Sequence, residues 1–180
     1  VQDSAQEEFT RRRTGQAVAA LLALDGLCHL YWATGLTWPA SDDRTLSMAV
    51  LGSEVPFTPP VLLPLAALLL AATAAVLGRG LGYGGPRLHR LLRLATFAVA
   101  AGLLARGLAG LAWVFGAGGE TGPAFQWLNL LLYTPVCLVF GIAAARLAGL
   151  SRLARRGLRS RPTVPGGHSL RDLRDLRDLR

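Results

Sequence analysis

The chain has no lysine: all nineteen of its basic residues are arginine. It has only two cysteines, Cys28 and Cys137, which form no CxxC pair and both lie in apolar surroundings. A disulfide framework and a thiol redox motif are therefore not expected, and two small buried thiols are the simpler reading. Charge is scarce too, at 17% of residues, against about 25% in an ordinary soluble domain. Only three histidines are present. His89 and His168 fall outside the apolar segments, so a second axial ligand for haem is missing. No metal-ligand spacing, catalytic triad or nucleophile elbow occurs, so neither a catalytic residue, a metal site nor a cofactor is assigned. The glycine-rich run GRGLGYGGPRLHR lacks the spacing of a phosphate cradle and reads as a turn.

Long apolar windows are what the chain does have. Hydrophobic residues make up 52% of 180, and the charges avoid four windows at about residues 15–36, 60–77, 94–117 and 127–150. Each is long enough to cross a hydrocarbon core of about 30 Å at about 1.5 Å per residue. None alternates as barrel strands do. Since hydrocarbon leaves no partner for a bare peptide group, helices are the remaining solution. The expectation is an all-α, four-helix transmembrane bundle over residues 15–150. A cytoplasmic tail of residues 1–14 precedes it, and a basic, partly disordered cytoplasmic tail of residues 151–180, ending in an LRD repeat, follows.

Arginine placement predicts the topology. Arg11, Arg12 and Arg13 precede the first window. Arg79, Arg87, Arg90 and Arg93 lie between the second and third, and Arg152 to Arg161 follow the fourth. The two other loops are acidic or neutral, with Asp42, Asp43, Glu54 and Glu120 against Arg44. Both termini are thus expected in the cytoplasm, in a plasma (inner) membrane. The net charge of +8 is expected to meet anionic lipid headgroups rather than nucleic acid. The first outer loop holds a mildly amphipathic stretch from Arg44 to Val55, read as a short interfacial helix, with Trp38 and Phe57 at headgroup level.

Ionisable residues inside a span are functional candidates because they are costly to place there. Measured from Gly15 and Leu94, Asp25 and Arg106 fall at matched depth near the midplane, which predicts a buried ion pair. Asp25, His29 and Trp32 stand at i, i+4, i+7 on one helix face. Asn129 and Tyr133 stand at i, i+4 on the fourth span. A candidate polar pocket follows from His29, Trp32, Asn129 and Tyr133, with Glu54 above it. Its plain reading is polar glue between helices. Pro135 is expected to kink the fourth span or to free a carbonyl for another donor. Gly102, Gly107 and Gly110, and Gly141, Ala145 and Gly149, offer close helix contacts, either internal or in a homo-oligomer.

The segments HLYWATG, VPFTPP and LLYTPVCLVFGIAAA resemble those of an uncharacterised family of small bacterial four-span membrane proteins, a domain of unknown function. His29, Tyr31, Trp32, Pro56, Tyr133, Pro135 and Cys137 are the matching positions. The resemblance implies four helices and no particular activity. The expected function is that of a structural or accessory bundle, more a non-enzyme than an enzyme. The alternatives are a lipid-, quinone- or small-molecule-binding bundle or intramembrane enzyme with an outward pocket around His29, and a protomer of an oligomeric channel or transporter.

Overall fold

The computed structural model describes residues 2–116 and 121–149, and all regular structure among them is helical. The basic tail of residues 151–180 with its LRD repeat, His168 and Glu120 lie outside the described residues. Six α-helices follow in order: α1 (Gln2–Ala33), α2 (Asp43–Leu51), α3 (Pro59–Leu81), α4 (Pro86–Val114), α5 (Pro123–Leu128) and α6 (Thr134–Ala148). A π-helical turn, Asn129–Tyr133, joins α5 to α6, so that Pro123–Ala148 forms one continuous span. Four helices are long and apolar enough to cross a membrane: Ser4–Ala33, Pro59–Leu81, Pro86–Val114 and Pro123–Ala148. Their outward leucines and valines, such as Leu68, Leu91, Leu108, Leu131 and Val139, stand exposed, as side chains that meet lipid must.

The boundaries follow from local chemistry. Proline stands at the start of α3, α4 and α5, where its fixed φ suits the first turn and its missing N–H would have no partner in any case. Glycine in the left-handed conformation closes α2, α3 and α6, at Gly52, Gly82 and Gly149. Asp42 caps α2 by accepting a hydrogen bond from the Thr45 N–H at 2.7 Å.

The helices run beyond the apolar windows. α1 begins thirteen residues before Gly15, α4 eight before Leu94. The polar start of α1 is supported by a Glu8–Arg12 pair at 2.7 Å in the favourable i,i+4 order and by Arg13 over the Phe9 ring. The second loop shortens accordingly, to residues 82–85.

Around the bundle, α1 packs along α3, α3 meets α4, α4 packs along α6, and α6 closes on α1. The helices α1 and α4 therefore stand diagonally. Gly15 and Gly80 set the α1–α3 crossing: a Cβ on Gly15 would lie 2.7 Å from the Gly80 Cα. On the α4–α6 seam, Leu138 fills the space left by Gly107, and Leu104 that left by Gly141. These small-residue contacts are internal, whereas Gly102 faces open space.

Two apolar clusters form the core. One joins Val18, Ala19, Leu22, Val76, Ala100, Ala144 and Leu147 in the half of the bundle near the start of α1. The other, at the opposite end, sets Leu46 of α2 against Phe57 and Leu62, with Trp32 beside them. Phe57 is thus a buried residue beneath α2, not a headgroup anchor, because the extended VPFTPP segment turns it under the short helix. Trp38 is exposed. Buried Thr96 and half-buried Thr73 satisfy their hydroxyls on their own helices, at Leu92 O (2.7 Å) and Leu69 O (2.8 Å).

Candidate functional site

Polar residues gather in the half of the bundle under α2. The decisive element is the π turn. Pro135 has no N–H, and its ring crowds the carbonyl one turn back. The helix widens in response, and the Thr134 N–H donates to Asn129 O, five residues earlier. The kink expected from Pro135 is realised as this turn.

Asn129 sits at the start of the turn, 1% exposed. Its amide nitrogen donates to Gly110 O on α4 at 2.9 Å. Its amide oxygen accepts from Arg106 Nη1 at 3.1 Å and from Thr134 Oγ1 at 3.4 Å. One side chain thus ties the backbone and the guanidinium of α4 to the last span. Arg106 also lies over two aromatic rings, 5.4 Å from the Trp113 centroid and 5.5 Å from that of Tyr133, in the cation–π range. Trp113 meets Phe125 edge-on at 5.4 Å, which fixes the ring under the cation.

On α1, the His29 Nδ1–H donates to the Asp25 backbone carbonyl at 2.8 Å, an acceptor that assigns the proton to that nitrogen. The Asp25 carboxylate lies 3.5 Å from the same nitrogen. Half of the Asp25 side-chain surface is open, while His29 is buried. Trp32 meets His29 edge-on at 5.3 Å and Phe57 at 5.8 Å.

The expected Asp25–Arg106 ion pair is not formed: among the described residues no carboxylate lies within 4 Å of Arg106. Each residue stands eight positions before the end of its helix, Ala33 or Val114. Azimuth separates them, because α1 and α4 are diagonal and α6 stands between.

At about 43 Å, the 29 residues of α4 exceed a hydrocarbon core of about 30 Å, and Arg106 lies about 12 Å from the Val114 end.

Of the other expected pocket residues, His29 and Trp32 are brought together on α1, and Asn129 and Tyr133 both meet Arg106. Glu54 is not part of the group. It pairs with Arg44 on the exposed capping segment, because the α2 turn brings those two residues within reach in water, where an ion pair costs little. Cys28 and Cys137 are free thiols.

Gly110, Trp113 and Thr134 belong to the network although the sequence reading gave none of them a polar role. The signal was available: Arg106, Gly110 and Trp113 stand at i, i+4, i+7, the spacing that singled out Asp25, His29 and Trp32.

A family model described as a protein of unknown function, DUF3995, matches residues 21–144. The chain belongs to the DUF3995 family. That match spans every residue of the polar group, from Asp25 to Cys137, and leaves out the arginine-rich start of α1 and the residues after Ala144. No curated protein and no solved structure matches this DUF3995 chain.

Proposed function

We propose that this multi-pass protein is a non-catalytic structural or accessory component of the plasma membrane, whose polar network holds the outer half of the bundle in register. Asn129 carries the reading. Fully buried, it joins three groups from two helices, and interhelical bonds of this kind contribute about 0.6–2 kcal/mol each. Both termini lie in the cytoplasm, with the arginines of residues 11–13, 79–93 and 152–161 on anionic headgroups. On the opposite side, α2 lies along the outer interface over the bundle mouth.

Two measurements test this. In a double-mutant cycle of Arg106→Ala and Asn129→Ala, a coupling above about 0.5 kcal/mol is expected for residues sharing one network; strict additivity would remove the clip. For topology, single cysteines replace Ser53 or Tyr83 in a cysteine-free background. A membrane-impermeant maleimide applied to intact cells should label Ser53→Cys and spare Tyr83→Cys. The reverse pattern would invert the orientation.

A second reading, a bundle that binds a lipid or small molecule, is favoured by one observation. Arg106, inside a span, has no carboxylate partner among the described residues, while the Asp25 side chain stays half open.

A further inference from the structure

We propose that Arg79 and His89 form a proton-released latch across the α3–α4 hairpin, closed while the imidazole is neutral and opened when it takes up a proton.

Four residues join the two helices: Gly82, Tyr83, Gly84 and Gly85. The backbone bonds at this turn stay on their own side of it. Gly78 O accepts from the N–H groups of Gly82 and Tyr83, and the His89 N–H opens α4 by donating to Gly85 O at 2.9 Å. Side chains make the crossing. A Cβ on Gly78 would stand 3.3 Å from Leu92 Cδ1, so Leu92 packs on the bare backbone of α3. One turn earlier on α4, His89 Nε2 lies 3.2 Å from Arg79 Nη1, and both side chains are half-buried.

That contact has a single chemical solution. A guanidinium carries five N–H donors and no acceptor, and it keeps its charge in proteins. Arg79 must therefore donate, and His89 Nε2 must accept through a bare lone pair. The imidazole is thereby neutral, with its proton on Nδ1. A second proton has one place to go, Nε2, and there it removes the acceptor. A charge-assisted hydrogen bond is replaced by two cations in contact.

The neighbouring groups offer the imidazolium no compensation. Arg87, Arg90 and Arg93 share the start of α4 with His89, and Tyr83 is the titratable residue of the turn. From α1, Arg11 reaches the turn, its Nη2 3.1 Å from a Cβ on Gly82. The last turn of α6, which runs against α4, brings Arg146 to the same end. Glu7 and Glu8 stand on α1 near Arg11, and Glu8 is held by Arg12 at 2.7 Å. No acidic residue occurs between Glu54 and Glu120, so neither α3 nor α4 supplies a carboxylate. Imidazole is the side chain whose charge ordinarily changes between about pH 5 and 8, and a contact that needs its neutral form responds over that range. Release weakens the α3–α4 contact at this end and leaves the α4–α6 seam at Gly107 and Gly141 untouched.

The test uses the full chain in lipid nanodiscs. Two-bond nitrogen–proton correlation spectra of histidine-labelled protein, assigned with His89→Gln, should place the ring proton on Nδ1 near pH 8. A proton on Nε2 at that pH would overturn the proposal whatever the variant does. Hydrogen exchange, with intrinsic rates divided out at each pH, should show protection at residues 83–92 falling by at least about fivefold from pH 8 to pH 5.5. Residues 104–111, on the α4–α6 seam, should keep theirs. Glutamine at this position offers Arg79 a carboxamide oxygen that does not titrate, so His89→Gln should hold its protection over the same range. Constant protection in the parent protein would overturn the latch. So would an equal fall in His89→Gln, which would assign the response to other groups, or a fall shared by residues 104–111, which would make it global.

Discussion

The tightest point of the polar network is Gly110, and a single methyl there tests the packing quantitatively. A Cβ on Gly110 would lie 2.1 Å from Thr134 Oγ1, 3.0 Å from Asn129 Oδ1 and 3.2 Å from Thr134 Cβ. The first distance is far inside contact, so the Thr134 hydroxyl must leave its place near Asn129. The two others require α4 and the π turn to separate slightly, which strains the Asn129 bond to Gly110 O. Overpacking of this kind costs about 1–3 kcal/mol, and weakening an interhelical hydrogen bond adds about 0.6–2 kcal/mol. The intrinsic helix preference of alanine over glycine returns up to about 1 kcal/mol. The expected net loss for Gly110→Ala is about 1–4 kcal/mol. Gly102→Ala, on the same helix with nothing within 4 Å of its added Cβ, should be neutral or slightly stabilising. Adding Thr134→Ala to Gly110→Ala should restore part of the loss, because the closest obstacle is one hydroxyl. Reversible unfolding in mixed micelles, followed by tryptophan fluorescence, gives all three values. Equal midpoints for Gly110→Ala and Gly102→Ala would refute the argument.

Other expectations use the same titration or simple extensions of it. Arg106→Ala should lower stability far more than Arg87→Ala, since the first removes the interhelical hydrogen bond to the Asn129 amide oxygen and the packing against Trp113 and Tyr133 and the second removes an exposed side chain; equal midpoints would remove Arg106 from the structural core. Gly80→Ala should destabilise by at least about 2 kcal/mol, because the added carbon meets the Gly15 backbone at 2.9 Å, where no side chain can yield. The backbone N–H of Thr45 holds the Asp42 carboxyl below its ordinary value of 3.8, aided by the hydroxyls of Thr45 and Ser41. A depressed carboxyl stabilises above its unfolded pKa and loses that effect as pH falls through the folded value. Asp42→Ala should therefore speed amide exchange at Thr45 near pH 6 and cease to differ from the parent protein once pH drops below the folded value. A difference independent of pH would assign the effect to helix propensity instead of the cap.

Much of this architecture is legible in the residues because hydrocarbon imposes one-dimensional rules. Four apolar windows give four long helices, and Pro135 announces a disturbance that becomes the π turn. The positions of Asp25 and Arg106 along their helices are legible as well, since such a position is a count of residues. Which neighbours they face is not, because azimuth depends on the order of helices around the bundle. That order is set by contacts such as Gly15 on Gly80, which no count reveals. The helix ends were misplaced for a related reason. Polar residues continue a helix into water without any hydropathic signature, as Glu8 and Arg12 do. Glu54 misled because an acid above a polar cluster looks like a member of it, whereas in a solvated loop the nearest arginine wins.

The Gly15–Gly80 crossing has a mechanical consequence. Two rods that touch where neither bears a side chain have a fulcrum there, and Asp25 lies ten residues farther along α1, a lever arm of about 15 Å. A swing of about 10° around that point would carry the carboxylate by about 2.6 Å. That is close to the length of one hydrogen bond, so the closeness of the glycine contact fixes where the carboxylate stands to within a bond length.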